Sequence, residues 1–366
     1  MRTPINIPVY APSLEGNERR YVDQCLESSW ISSKGEFVER FENDFAGFIG
    51  ATHATTVANG TVALHLAMAA LGIGPGDEVI VPTLTYIASV NTIAQTGAVP
   101  RFVDSLEATW QVDPEAIRRA ITPRTRAVMV VHLYGHPCDM SPIVALCAER
   151  GLLLIEDCAE AFGARYRGQH VGTFGDVATF SFFGNKTITT GEGGMVVCRD
   201  AALHQRCAKL KNQGVVDYRQ YWHDEVAYNY RMTNICAAIG VAQMERAEEI
   251  VQKKRAIADW YAESLEHVPV TLHRAIGDVV HSYWMNCILV PDAADRDELR
   301  KQLADAGVDT RPVFYPAHKM PMYYSADSYP VAEAIGGRGI NLPSGPALKS
   351  EQIAQICEVI SRFFGA

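Results

Sequence analysis

The chain has 366 residues, 48% of them hydrophobic and 20% charged, with a formal charge of −9. Such a chain can bury a large core and its length suggests two domains, while the acidic balance excludes a general nucleic-acid binder and still permits a small anionic ligand held by local donors. The opening run Met1 to Pro8 has no apolar leader and no stretch is long and uncharged enough to span a bilayer, so a cytoplasmic protein without membrane contact is expected.

Strand-like and helical patterns then alternate. Thr55 to Val57 precedes Asn59-Gly60-Thr61 and a helical stretch from Val62 to Leu71. Apolar runs follow at Val79 to Pro82, Pro100 to Asp104, Ala127 to Val131 and Leu152 to Ile155, with helices predicted over 113–121 and 141–150. Short continuous apolar runs separated by helices imply a mostly parallel sheet covered on both faces, hence an α/β class. Ile235 to Met244 is apolar all round and predicts a buried helix, after which 245–266 becomes amphipathic and charged. That change predicts a large domain over 1–245 and a smaller C-terminal α/β domain over 246–366. In the latter, Ser282 to Leu289 reads as a strand, 296–306 as a helix and 351–364 as a final helix. The nine cysteines are dispersed, with no Cys-x-x-Cys pair, and read as reduced packing residues.

The chemistry concentrates around one lysine. Lys186 lies among hydroxyls, small residues and aromatics, about thirty residues after Ile155-Glu156-Asp157, where an acid ends an apolar run. An amine that can bond to an aldehyde, together with an acid able to keep a ring nitrogen protonated, is the pair that pyridoxal phosphate chemistry needs. Asn59-Gly60-Thr61 stands between a strand and a helix and could cup a phosphate with its amides and hydroxyl, with Ser181 adding another hydroxyl; alone, the tripeptide is more simply a helix cap. Asp157 is equally readable as a helix cap until Lys186 is added. Glu160 could cap the same helix start or reach the phenolic oxygen of the cofactor. Tyr86 could stack on a ring or be an ordinary core aromatic. His132, His136, Cys138 and Asp139 crowd one loop, but no second ligand pair stands at a recognised spacing, so no metal site is expected. Gly191-Glu192-Gly193-Gly194 leads into a strand-like run where a dinucleotide loop needs a helix, and reads as a tight turn.

Pro82 to Tyr86, Ile155 to Ala161, Ser181 to Lys186, Gly191 to Gly194 and Asn229 to Asn234 together resemble the motifs of the DegT-type nucleotide-sugar aminotransferases, in order and over nearly the whole chain. The resemblance implies a fold type I aminotransferase working as a homodimer with shared active sites. It implies Lys186 as the lysine that carries pyridoxal 5'-phosphate, Asp157 as the partner of the ring nitrogen and Tyr86 as the stacking ring. Gly60, Thr61 and Ser181 would hold the phosphate, and Asn229 would reach it from the other subunit. Glu160 departs from the glutamine that many relatives carry, which alters the hydrogen bonding near the cofactor oxygen.

Ser29 to Ser33, Tyr221 to Asp224, Ala227 to Met232 and Arg311 to His318 resemble the members that aminate a GDP-linked sugar. The implied substrates are L-glutamate and GDP-4-keto-6-deoxymannose, aminated at C4 for a cell-surface polysaccharide such as O-antigen. Trp30, Ser32, Phe314, Tyr315, Pro316 and His318 would border the sugar nucleotide. UDP- or dTDP-linked sugars are the alternative, since base readout depends on loop geometry. A 3-dehydratase on this scaffold would carry histidine at the lysine position. A non-catalytic cofactor-binding regulator is opposed by the intact Lys186, Asp157, Ser181 and Asn229.

Overall fold

The computed structural model describes residues 6–366. Helices α1 (Glu18–Ser28) and α2 (Glu36–Ile49) lead into β1 (His53–Val57), and then strands and helices alternate: α3 (Gly60–Ala70), β2 (Glu78–Pro82), α4 (Ile87–Gln95), β3 (Val99–Val103), α5 (Pro114–Ala120), β4 (Thr125–Val131), α6 (Met140–Arg150) and β5 (Leu153–Asp157). A small hairpin, β6 (Arg165–Tyr166) and β7 (Gln169–His170), is followed by β8 (Val177–Ser181), β9 (Gly194–Cys198) and α7 (Ala201–Lys211). The large sheet has the order β1-β9-β8-β5-β4-β2-β3. The pairings of β2 with β3 and β4, of β4 with β5 and of β5 with β8 are parallel, whereas β9 runs antiparallel to both β1 and β8.

Alternation along the central strands builds two cores. Val79 and Val81 of β2 and Ala127 and Met129 of β4 pack under α3 and α4, while Ile80, Val128 and Val130 face α5 and α6. Side chains two apart share a face of a strand, so both faces of a sheet covered by helices must be apolar, and the continuous runs in the sequence reflect that. A third cluster joins α2 to α8 (Asn234–Met244), and Gly240 allows the approach: a Cβ there would come within 2.7 Å of the Phe41 ring. Burial accounts for only part of the all-round apolarity of α8: Ala237, Ala238, Val241 and Ala242 are buried, whereas Ile235, Cys236, Ile239 and Met244 remain half-buried.

Helix α9 (Ala247–Ser264) connects two cores. Ala247, Ile250 and Val251 pack with the large one; Ile257 and Tyr261 pack with the small one. Beyond it come β10 (Thr271–Leu272), β11 (Val279–Val280), β12 (Asn286–Leu289), α10 (Ala293–Asp305), β13 (Arg311–Pro312), α11 (Pro330–Arg338), β14 (Gly339–Leu342) and α12 (Ser350–Phe364), with a four-stranded sheet β10-β12-β14-β13. Ile7 joins the small core and bridges to Val308, so the chain at Ile7 runs with the C-terminal unit.

Two sequence expectations change. The strand predicted from Ser282 begins only at Asn286, because Tyr283 takes a left-handed conformation (φ 49°) that a pleated strand cannot hold. No helix follows Asp157: residues 158–164 form turns, so neither Asp157 nor Glu160 is a helix cap. All nine cysteines are free, and eight are buried. Among the described residues no helix is long and apolar enough to cross a membrane.

Candidate active site

Parallel strands deliver their following residues to the same edge of the sheet, where open α/β sheets bind ligands. Here β5 ends on Asp157, β8 ends on Ser181, and the chain after β2 turns through Tyr86 into α4. A cavity of about 510 Å³ opens at that edge, and Gly60, Thr61, Tyr86, Asp157, Glu160, Ser181, Lys186 and Phe314 all line it. Tyr86 is 55% exposed with its ring 5.4 Å from that of Phe314, so it is a face of the cavity and not a core aromatic.

The start of α3 forms one wall. Asn59 accepts from the amide of Val62 at 3.0 Å and is the cap, which leaves Gly60 and Thr61 as first-turn amides that the helix itself does not satisfy. Gly60 is required by proximity: an added Cβ would lie 2.7 Å from the Cβ of Ser181. First-turn amides, two hydroxyls and a helix dipole against a glycine make a cradle that fits a phosphate.

Asp157 is buried. Its Oδ2 accepts from the Ser89 hydroxyl at 2.7 Å and its Oδ1 from the Ala159 amide at 3.0 Å. Burial pushes its pKa up, opposed by those hydrogen bonds and by the charges of Lys186 and His132. One residue back, Glu156 accepts from the amides of Gly172, Phe174 and Gly175 and lies 3.1 Å from Nε2 of His132, tying the 172–175 turn beneath the strand end. His132, Glu156 and Cys158 bring ligand-type atoms within 4.8 Å of one another. Both carboxylate oxygens of Glu156 and Nδ1 of His132, which accepts from the Cys138 amide, are already engaged, so the group serves the fold.

The amine of Lys186 stands 3.9 Å from Oε1 of Glu160 and 3.7 Å from the centroid of the Trp284 ring. Burial pulls its pKa down, while Glu160 and Asp157 oppose that shift. Glu160 is buried and accepts from the amide of Tyr134 at 2.8 Å; burial lifts its pKa to about 7 against the pull of Lys186. Tyr134 reaches it by adopting φ 56°, and its hydroxyl accepts from the Phe314 amide. A largely enclosed amine beside one acid and within the field of a second, at the edge of an anion cradle, can bond to a carbonyl carbon and move protons there.

Trp30, Ser32, Asn229, Tyr315, Pro316 and His318 do not line the cavity that this chain forms alone. Trp30 and Asn229 are exposed, whereas His318 is buried between Thr83 (2.7 Å) and Glu333 (3.2 Å). Sequence reasoning missed Ser89, Tyr134, Asn185 and Trp284. Ser89 lies one helical turn past Tyr86 on a face that could have been read; Trp284 carries no local signal, because the irregular 281–285 segment alone turns it to the lysine.

A family model, DegT/DnrJ/EryC1/StrS aminotransferase, matches residues 12–361. The chain is 59% identical to GDP-perosamine synthase of Escherichia coli O157:H7 over 98% of each chain, and 53% identical to GDP-perosamine synthase of Vibrio cholerae over 98% of this chain and 99% of that one. The aminotransferase TlmJ from Streptoalloteichus hindustanus superposes with a TM-score of 0.94 at 32% identity, covering 98% of this chain and 99% of the other. With a matching model over nearly the full length, and an amine, an acid and an anion cradle converging at the sheet edge, the chain belongs to the DegT/DnrJ/EryC1/StrS aminotransferase family.

Proposed function

We propose that this chain is a pyridoxal phosphate-dependent aminotransferase that moves the amino group of L-glutamate to C4 of GDP-4-keto-6-deoxymannose, giving GDP-perosamine and 2-oxoglutarate. The observation that carries the reading is the convergence of Lys186, Asp157 and the Gly60–Ser181 cradle on one cavity, in a chain so similar to two GDP-perosamine synthases. Bound pyridoxal phosphate supplies an aldehyde for an amine and a protonated ring that draws electrons from the reacting carbon.

The residues divide that work. Gly60 and Thr61 offer amides, and Thr61 and Ser181 hydroxyls, to the phosphate. Tyr86 offers its exposed ring for stacking. Asp157, fixed by Ser89 and Ala159, presents a carboxylate to the ring nitrogen, whose positive charge favours the ionised acid against the cost of burial. Glu160 stands beside the amine of Lys186. That amine, its pKa lowered by burial, takes the proton from the α-carbon of glutamate and later delivers one to C4 of the sugar. The indole of Trp284 covers it and excludes water on that side.

The shared-site dimer is part of the same reading. Asn229 is exposed and outside its own cavity, which supports its supply to the phosphate of a second copy. Trp30, Ser32, Tyr315, Pro316 and His318 belong with Phe314 along the sugar-nucleotide path completed by that copy. Two water-soluble substrates support a cytoplasmic enzyme.

The test is kcat/KM for GDP-, UDP- and dTDP-linked 4-keto-6-deoxy sugars with L-glutamate as donor, with product masses determined. A pocket that hydrogen-bonds guanine leaves groups unpaired with another base, a loss of roughly 1–3 kcal/mol per group. A preference for the uridine or thymidine compound overturns the GDP assignment and leaves the aminotransferase standing.

A further inference from the structure

Lys254 is fully buried and the chemistry above does not use it. It sits in α9 between the turn that packs on the large core and the turn that packs on the small one. Its amine donates to the carbonyl of Trp284 at 2.8 Å and to the carbonyl of Ser344, and it lies 4.8 Å from the centroid of the Tyr10 ring. The amine is therefore surrounded by two carbonyl acceptors and a ring face. No carboxylate among the described residues pairs with it, and burial pulls its pKa well below the usual lysine range, with the Cys287 thiol opposing. Burying an amine without a counter-charge is costly in either protonation state, a cost that an apolar side chain of the same length would avoid.

What the lysine holds explains its place. Trp284 donates its indole N–H to the carbonyl of Asn185 at 2.7 Å, and Tyr10 donates its hydroxyl to the carbonyl of Lys186, also at 2.7 Å. Two consecutive carbonyls of the segment that carries the amine are thus gripped by two side chains; Lys254 holds the main-chain carbonyl of one of these residues, Trp284, and lies against the ring of the other, Tyr10. The same indole lies over the amine itself.

We propose that Lys254 is a positioning residue: through Trp284 and Tyr10 it fixes the backbone at Lys186 and keeps the amine of Lys186 beneath the indole, where Glu160 and Asp157 are its charged neighbours. The inference rests on Lys186 being the catalytic lysine. It distinguishes Lys254 from a mere stitch between two cores, because a stitch alters stability without altering the amine.

The experiment reads the amine directly in cofactor-free protein. Lys186 is labelled with acetic anhydride across a pH series, and its modification is quantified by peptide mass spectrometry. In Lys254→Met the indole loosens, water reaches the amine, and the labelling midpoint should rise by about one pH unit. With cofactor, kcat should fall about tenfold while KM for the sugar nucleotide changes little. A lowered Tm with an unchanged midpoint makes Lys254 structural only and overturns the proposal. Should Lys254→Met not fold, Tyr10→Phe and Trp284→Phe each delete one of the two grips, and an unchanged midpoint in both overturns it equally. Borohydride trapping of the cofactor-loaded wild type, mapped to its peptide, tests the role of Lys186 separately.

Discussion

The hydroxyl of Ser89 donates to Oδ2 of Asp157 at 2.7 Å, reaching from the first turns of α4 to the end of β5. Together with the Ala159 amide on Oδ1 it locks both oxygens of a buried acid whose pKa burial would otherwise raise further. Orientation and ionisation of that acid therefore depend on a residue that does not itself line the cavity. Asp157→Asn keeps the size and removes the charge, and should lower kcat on the order of 10²–10³-fold, the usual effect of losing a key electrostatic group. Ser89→Ala should cost roughly tenfold or less, as one hydrogen bond to a charged group implies. Steady-state kinetics on folded, cofactor-loaded variants decide it: near-normal turnover of Asp157→Asn removes the acid from the mechanism.

Glu160 gives a pH signature. Burial lifts its pKa from the usual 4.5 to about 7, with Asp157 adding and Lys186 and the Tyr134 amide opposing. The folded state holds this proton more tightly than the unfolded chain. The group's contribution to stability is therefore complete below the unfolded pKa and is lost as pH rises through the folded one, so the window runs from about pH 4.5 to about pH 7. In cofactor-free protein, Glu160→Gln should lack that slope, and its Tm relative to wild type should climb across the window. Parallel Tm curves for the two proteins would contradict the raised pKa.

Gly60 tests the phosphate cradle. A methyl group there meets the Cβ of Ser181 at 2.7 Å and its hydroxyl at 2.9 Å, so Gly60→Ala must displace Ser181 or the start of α3. Affinity for pyridoxal phosphate, measured by fluorescence titration, should fall about tenfold, the loss of roughly one charge-assisted hydrogen bond. An unchanged Kd would mean that the phosphate binds elsewhere.

Asn229 tests the shared site. Its side-chain carbonyl accepts from Arg231 of its own chain, at the exposed surface. Mixing Lys186→Ala and Asn229→Ala chains should yield hybrids with one doubly damaged and one intact site, so about a quarter of wild-type activity should return if chains pair at random. If each asparagine serves its own chain, every site in a hybrid carries one lesion and mixing restores nothing.

The acid, the amine and the cradle were legible in the sequence because each is a local event: Asp157 at the end of an apolar run, Lys186 in a hydroxyl-rich loop, Gly60 at a strand-to-helix turn. The α/β alternation was legible for the same reason, since strand and helix periods are written in neighbouring residues. Motif resemblance supplied the family. Other features depended on contacts between segments far apart in the chain. Ser89 meets Asp157 across 68 positions, Trp284 meets Asn185 across 99, and Tyr10 meets Lys186 across 176. Nothing in the run Ser282 to Leu289 distinguishes a strand from the bend that actually carries Trp284 to the amine, and His318, in a motif that reads as substrate border, is buried between Thr83 and Glu333. Local chain preferences named residues that meet at one cavity; the packing of two cores about α9 decided what surrounds them, because only close packing brings together side chains whose separation in sequence leaves no periodic trace.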